Sequence, residues 1–216
     1  MDFRDTRDRQ KAALWGLFVL IPLIVLPYFA YTQCRIEVPS KHMAILIKKT
    51  GEDLDNGQEI APLGEDGEYA YKGVQLEPLG EGRYFMNPYE FTWVVVPQIE
   101  IPQGKLGVRT RLYGDNLAPG DLIAWEENQK GIVDEVLRPG RYAINAKFQG
   151  DKPRKRDSYA EIIELHDPVT VLPGYVGVVT HLSAPMPEDP NVLLVEEGRR
   201  GVQQKTLAPG TYYVNP

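Results

Sequence analysis

Along most of the chain, apolar residues come in short runs of Val, Ile, Leu and Tyr that proline and glycine interrupt. The 216 residues include 18 prolines and 20 glycines, and both types are spread over the whole length. Such a pattern is typical of short strands joined by turns and not of long helices. It predicts a mainly β fold, with an α+β arrangement as the alternative.

The exception is the apolar run over residues 12–31, which contains no charged side chain. Twenty residues at about 1.5 Å each make a helix of roughly 30 Å, the thickness of the hydrocarbon core of a bilayer. Trp15 lies near one end of the run and Tyr28 and Tyr31 near the other, where aromatic rings favour the membrane interface. The run therefore predicts one transmembrane helix, with the lipid bilayer as its partner.

A cleaved signal peptide is the alternative interpretation, but its apolar core is shorter, about 7–15 residues. The preceding residues 1–11 contain four basic side chains and so predict a cytoplasmic N-terminal tail. The rest of the chain would then lie outside the cytoplasm, on the inner membrane if the cell has two membranes. Cys34 follows the run, where it is either an acylation site or a thiol without a function.

A second pattern is a phrase that recurs along the chain. Arg-Pro-Gly-Arg-Tyr-Ala-Ile-Asn occupies residues 138–145, Ala-Pro-Gly-Thr-Tyr-Tyr-Val-Asn occupies residues 208–215, and the looser Gly-Glu-Gly-Arg-Tyr-Phe-Met-Asn occupies residues 80–87. A glycine precedes each tyrosine by eleven residues in all three copies. The repeated positions are Gly73, Gly82, Tyr84 and Asn87; Gly131, Pro139, Gly140, Tyr142 and Asn145; and Gly201, Pro209, Gly210, Tyr212 and Asn215.

A shorter element, a proline followed by a turn and an apolar run, also occurs three times, at Val38-Pro39, Ile101-Pro102 and Leu172-Pro173. Periods of about 60–70 residues exceed those of common solenoids, so they indicate small domains in tandem. The predicted β modules are residues 36–97 (module 1), 98–168 (module 2) and 169–216 (module 3).

Within each module, the phrase has the composition of a turn. Proline suits the second position of a type II turn and glycine the positive φ of the third, so Arg138–Arg141 is predicted to be such a turn. The residues after it are predicted to return as the second strand of a hairpin, with Tyr142 and Ile144 on one face. This interpretation gives the repeated residues a structural role and not a catalytic one.

Charge and candidate chemistry narrow the function. The net charge is −6, which does not favour nucleic acid as a partner. His42, His166 and His181 are far apart in sequence, and none has a second ligand at metal-binding spacing. The pairs Glu126-Glu127 and Glu196-Glu197 would point to opposite faces of a strand, so they are poorly placed for shared acid and base chemistry. We therefore expect no catalytic site, no metal and no cofactor.

Taken together, an N-terminal helix, the element at Val38-Pro39 and the Pro-Gly-x-Tyr phrase resemble the prohibitin, stomatin and flotillin superfamily, whose domain is called SPFH or band 7. Leu172–Val179 and the turn at Leu207–Tyr212 are most similar to the start of that domain, so the resemblance is strongest in module 3. Three features depart from the family: the opening element is repeated, the family's long coiled coil is absent, and the sequence stops at Asn215-Pro216. The stop suggests that the SPFH domain is truncated.

The resemblance implies a membrane scaffold without enzymatic activity. Such a protein would form a large homo-oligomer, a ring or cage, that organises membrane microdomains or restrains other membrane proteins such as proteases. Small β modules with open strand edges would independently favour lateral packing. The alternative is a periplasmic adaptor of an export system, although such adaptors carry a long helical hairpin that the periodicity of residues 32–216 does not show.

Overall fold

The computed structural model describes residues 3–54, 58–64, 67–151, 159–189 and 191–216. Within the helix, it describes the side chains of Trp15 and Phe18 and all those from Leu20 onward. The described chain consists of one helix, α1 (Phe3–Cys34), followed by short strands. The prediction of a mainly β fold is confirmed.

The strands are short because a turn follows every few residues. Module 1 contains β1 (Arg35–Val38), β2 (His42–Lys48), β3 (Ile60–Ala61), β4 (Gly73–Gln75), β5 (Gly82–Phe85) and β6 (Phe91–Pro97). Module 2 contains β7 (Ile99–Ile101), β8 (Leu106–Arg111), β9 (Ile123–Ala124), β10 (Gly131–Val133), β11 (Gly140–Tyr142), β12 (Ala146–Phe148) and β13 (Glu161–His166). Module 3 contains β14 (Val169–Val171), β15 (Thr180–His181), β16 (Gly201–Val202) and β17 (Gly210–Tyr212).

The same pairing scheme recurs in all three modules. A short antiparallel pair forms between the first strand and the strand of the repeated phrase, as β1 with β5, β7 with β11 and β14 with β17. A second antiparallel pair forms between β2 and β4, β8 and β10, and β15 and β16. A parallel neighbour then flanks this pair: β3, β9, and in module 3 the single bridge from Val195 to Gln203.

Module 1 extends this scheme with one further strand, and module 2 extends it with two. In module 1, β6 pairs antiparallel with the whole of β2, from His42 opposite Pro97 to Lys48 opposite Phe91. In module 2, β13 pairs in the same way with β8 and also forms a parallel pair with β12. In the described part of module 3, β15 has β16 as its one strand neighbour.

In modules 1 and 2, the core lies between the two sheets of the module. In β1 and β7 the buried residues alternate with exposed ones, as expected for a strand with one face on a core. In module 1 this face joins one buried apolar cluster, and in module 2 another. Their members are Ile36, Val38, Ala44, Leu46 and Phe91 in module 1, and Ile99, Ile101, Leu137, Ala146 and Ile163 in module 2. Burial of each large side chain contributes about 1.5–3 kcal/mol.

The predicted transmembrane helix over residues 12–31 is wrong. None of the helical segments that the structure describes combines the length and the apolar character that a bilayer crossing requires. Trp15, Tyr28 and Tyr31 are exposed on α1, and the ring of Tyr31 contacts Phe85 of β5 at 5.4 Å between centroids.

The predictions that depended on this helix change with it. A single-pass inner-membrane location is not supported. The predicted orientation, with a cytoplasmic N-terminus, depended on that membrane span. The basic side chains of the predicted cytoplasmic tail, residues 1–11, lie outside the described side chains. What α1 does in the structure is lead directly into β1, and the Met86 amide donates to the Cys34 carbonyl at 2.9 Å.

An ion pair locks β13 to β8 in module 2. Glu161 is 2% exposed, and its carboxylate accepts two hydrogen bonds from Arg109, from Nε at 2.7 Å and from Nη2 at 2.6 Å. The hydrogen bond to Glu161 raises the pKa of the Arg109 guanidinium above its ordinary value, against the opposing effect of burial. The pair is thus bidentate and nearly dry, so it holds this strand pair in register.

Replacing Glu161 by Gln should destabilise the fold by about 3 kcal/mol, because Arg109 would then be a partly buried charge without a counter-ion. The measurement is urea unfolding followed by far-UV circular dichroism. Glu100→Gln is the matched control, since its side chain is 70% exposed and its contact with Arg141 is 3.9 Å long. Equal losses for the two variants would contradict the role assigned to Glu161.

Candidate functional site

The repeated phrase carries the chain from one small sheet of a module to the other. The leucine before it bridges to the long strand, as Leu79 to Ala44, Leu137 to Gly107 and Leu207 to Gly177. The residues after it pair instead with β1, β7 and β14. The predicted hairpin is therefore wrong. The residues before and after the phrase do not pair with each other but with two different strands, so the phrase crosses from one sheet to the other.

The predicted type II turn at Arg138–Arg141 is also wrong. Gly140 begins β11 and does not have a positive φ. Positive φ occurs instead at the glycine eleven residues before each tyrosine: 127° at Gly73, 138° at Gly131 and 132° at Gly201. A Cβ atom built on Gly131 would come within 2.7 Å of Leu117 Cδ1, so this glycine is required by both backbone and packing.

In the second and third copies of the phrase, the tyrosine hydroxyl bonds back to the turn that precedes it. The Tyr142 hydroxyl donates to the Arg138 carbonyl at 2.9 Å, and the Tyr212 hydroxyl donates to the Ala208 carbonyl at 2.8 Å. The rings lie beside Gly140 and Gly210, where an added Cβ would be 3.6 Å from the nearest ring carbon in both copies. Tyr142 and Ile144 pack together on the module 2 core, as their spacing predicts.

The asparagine at the end of the phrase connects neighbouring modules. Asn145 of module 2 donates from Nδ2 to the carbonyl of Gln75 in module 1 at 3.4 Å, and Asn215 of module 3 donates to the carbonyl of Val133 in module 2 at 3.2 Å. Gln75 and Val133 hold the same place in their modules, two residues after the positive-φ glycine. We call this repeated contact the module link.

The first copy of the phrase shows what happens without a preceding module. Asn87 bonds locally, donating from Nδ2 to Glu90 Oε1 at 3.0 Å and accepting from the Tyr89 amide at 3.0 Å. Asn145, in contrast, is 1% exposed, and its backbone carbonyl accepts from the amides of Ala160 and Glu161. The same residue type therefore shapes a surface turn in module 1 and forms the module link in modules 2 and 3.

Gln75, which the sequence analysis missed, shapes the acceptor side of the link between modules 1 and 2, and Gln203 repeats its arrangement in module 3. The Nε2 atom of Gln75 donates to the carbonyls of Tyr71 and Gly73, at 3.1 and 3.0 Å. Gln203 repeats this arrangement with Arg199 and Gly201, at 2.9 and 3.2 Å. The signal was present in the sequence as the triplet Gly-Val-Gln, which occurs at residues 73–75 and again at 201–203. Module 3 thus repeats the acceptor geometry of module 1.

The remaining candidates for chemistry are dispersed. His42 bonds to the Ser40 carbonyl, His166 lies 3.5 Å from Glu164, and His181 is in β15. The sequence analysis assumed that the glutamate pairs at 126–127 and 196–197 lie on strands. In the structure they are exposed and lie outside the strands. Across the described ranges, no three His, Cys, Asp or Glu side chains are grouped closely enough to hold a metal ion.

One cleft lies between modules 2 and 3, beside the module link. It has a volume of about 450 Å³, and residues of both modules line it, including Asp134, Arg138, Tyr142, Tyr213 and Asn215. Asn215 and Tyr142 are already engaged in the contacts above, and the described lining holds no nucleophile paired with a base.

Comparison of the chain with family models, with curated proteins and with solved structures finds no match. The resemblance to the SPFH superfamily therefore stays a prediction. The module link and the pairing scheme are the observations from which function has to be argued.

Gly131→Ala should destabilise the protein by about 1–3 kcal/mol, because alanine is strained at φ 138° and its Cβ would collide with Leu117. Gly140→Ala is the matched control and should change stability by less than about 0.5 kcal/mol, since nothing lies closer than 3.6 Å to its Cβ. Urea unfolding followed by tryptophan fluorescence measures both. A larger loss for Gly140→Ala would contradict the assignment of backbone strain to the first glycine.

Asn145→Ala should cost about 1–2 kcal/mol and loosen module 1 against module 2, because the Gln75 carbonyl loses its donor in a buried setting. Hydrogen exchange read by mass spectrometry should show faster exchange in peptides that contain residues 73–76. Asn87→Ala is the matched control, since Asn87 holds the same position in the phrase without an intermodule bond. Unchanged exchange at residues 73–76 in Asn145→Ala would show that the module link is not a stabilising contact.

Proposed function

We propose that the chain is a scaffold protein without enzymatic activity that works by assembling its β modules into a large homo-oligomer, as the resemblance to the SPFH superfamily implies. The observation that supports this most is the module link. Two consecutive modules are joined by the same asparagine-to-carbonyl contact, at Asn145 and at Asn215. Because the same contact joins two successive pairs of modules, modules of further chains could be added through the same contact.

Module 3 is the surface on which such assembly would take place. The described part of its range has three buried residues, Val171, Val195 and Gln203. Large apolar side chains are instead exposed over the whole module, namely Leu172, Tyr175, Val176, Val178, Leu182, Met186, Val192, Leu193 and Leu194. A monomer seldom leaves so much apolar surface in water, whereas an assembly interface requires it.

The proposed scaffold is built from the β modules alone. It includes no membrane anchor, because no described helix can cross a bilayer. The exposed surfaces of the assembly would determine which proteins it organises. The family resemblance predicts a membrane protease as one such partner. The periplasmic adaptor is the alternative proposal, and its distinguishing mark would be docking on a partner instead of self-assembly.

The test is sedimentation velocity of the purified full chain over about 1–50 micromolar protein, because self-association depends on protomer concentration. A mild detergent should be present, because α1 exposes large apolar side chains that would otherwise associate without specificity. We expect particles much larger than the 24.4 kDa chain, and rings or domes by negative-stain electron microscopy. A single species at the monomer mass over the whole range would refute the scaffold, and a funnel seen on a co-purified partner would favour the adaptor.

A further inference from the structure

The outer edge of β6 in module 1 has no strand beside it. Among the strands that the structure describes, β6 pairs with β2 along its whole length and lies last in its sheet. Its counterpart in module 2, β13, has a second neighbour, because β12 pairs with Glu161–Ile163 on the other side. In module 1, residues 88–90 alone separate the phrase from β6, so no strand like β12 is formed there. We call the outer side of Phe91–Pro97 the free edge.

The free edge lacks the polar side chains of the same edge in module 2. The shared leucine bridges align β2 with β8, and the strand registers then align β6 with β13. In this alignment Glu164 and His166 of β13 take the places of Val94 and Val96. Residues 91–96 carry no charge and are all β-branched or aromatic, which is the composition that favours strand addition. An uncharged apolar edge strand of this kind is a site of association.

Backbone hydrogen bonds show which residues of β6 face the free edge. Glu90 and Gln98, on either side of β6, bond to the two residues that flank β2. Successive residues of a strand direct their N–H and C=O groups to alternate sides, so the even-numbered residues of β6 face β2. Trp93 and Val95, at the centre of the strand, therefore direct their backbone groups to the free edge.

The ends of the free edge lack an available donor. The Phe91 amide already donates to the last residue of the phrase at 2.9 Å, and Pro97 has no amide hydrogen. Trp93 and Val95 are left with one donor and one acceptor each. An antiparallel copy of β6, related by a twofold axis through Val94, would set Trp93 of each copy opposite Val95 of the other. Each of these two pairs exchanges both of its hydrogen bonds, and the positions without a donor lie opposite each other.

The same register covers the exposed side chains of β6. Val94 is 39% exposed and Val95 is 38% exposed, although both lie among buried or partly buried residues. Val94 shares one face of the strand with Val96 of a buried cluster, and Val95 shares the other face with Trp93, which packs on the module 1 core. With the axis through Val94, this valine meets its own symmetry mate, and Val95 meets Trp93. Each such cross-strand pair contributes about 0.2–1 kcal/mol.

We propose that the free edge binds the free edge of a second copy of this chain, so that two module 1 sheets join through an antiparallel pair of β6 strands with a twofold axis at Val94. A second copy fits better than an unrelated peptide, because the open backbone groups, the ends without a donor and the apolar side chains of the free edge all complement the same edge. This β6 pair uses no residue of the module link. It forms whether or not the chain assembles into a scaffold.

The test is disulfide cross-linking of the full chain in mild detergent, with Cys34→Ser so that an introduced cysteine is the one thiol. Val94→Cys should form a linked dimer on mild oxidation, because directly opposed residues that are not hydrogen-bonded to each other have Cα atoms about 4.5 Å apart, within disulfide range. Val95→Cys is the matched control, since it is equally exposed but its symmetry mate would be about 8 Å away. Non-reducing gel electrophoresis should show dimer formation at least about tenfold faster for Val94→Cys.

Val94→Lys tests the contact without a covalent bond. It should reduce the mass of the sedimenting particle by a factor of about two or more, since two like charges would meet at the twofold axis. Tyr89→Lys is the matched control, because it adds the same charge to an exposed residue of module 1 outside the free edge, and its particle should keep the wild-type mass. Circular dichroism of both variants establishes that they are folded.

Two outcomes would overturn the proposal. Val94→Cys could cross-link no faster than Val95→Cys, or folded Val94→Lys could sediment like the wild-type chain. Large particles that keep their size in Val94→Lys would support the scaffold and refute the β6 pair. A wild-type chain that sediments as a dimer, and as a monomer in Val94→Lys, would refute the large scaffold and support the β6 pair, so the two proposals fail separately.

Discussion

The bridge between the leucine of the phrase and the long strand of its module is the contact on which the rest of the structure depends. In all three modules, the two residues exchange backbone hydrogen bonds of 2.8 and 2.9 Å. The residue opposite the leucine is Ala44, Gly107 or Gly177, and a Cβ on Gly107 would lie 2.9 Å from Ile101 Cδ1 and 3.4 Å from Leu137 Cβ. A small residue is what allows the chain to leave one sheet and cross to the other at this point.

The crossing determines where the end of the phrase lies. After the tyrosine has closed on its own turn, the asparagine is delivered to the edge of the preceding module, where it donates to a carbonyl two residues after the positive-φ glycine. The function that we propose uses this geometry directly. Strand pairing within a module places the donor, the side-chain amide of the asparagine. The acceptor carbonyl has the same place in each preceding module because the module is repeated.

Much of the strand content was predictable because short apolar runs between turn residues fold locally. The periodicity also placed Tyr142 and Ile144 on one face, as the structure shows. The hairpin was mispredicted because Pro-Gly composition indicates a change of direction without indicating the partner of the next strand. The transmembrane helix was mispredicted because the absence of charge over residues 12–31 was treated as sufficient for a bilayer span. Arg109 and Glu161 are 52 residues apart, and no local pattern connects them.

The sequence by itself determined the mainly β class, the recurrence of the phrase and its fixed spacing, because each of these is a property of neighbouring residues or of residue identity. Only the tertiary structure decided that the phrase crosses between sheets, and that Asn145 and Asn215 join modules while Asn87 does not. The physical reason is that pairing and burial depend on which distant backbone reaches a residue. Equivalent positions in a repeat can therefore be core in one module and surface in the next.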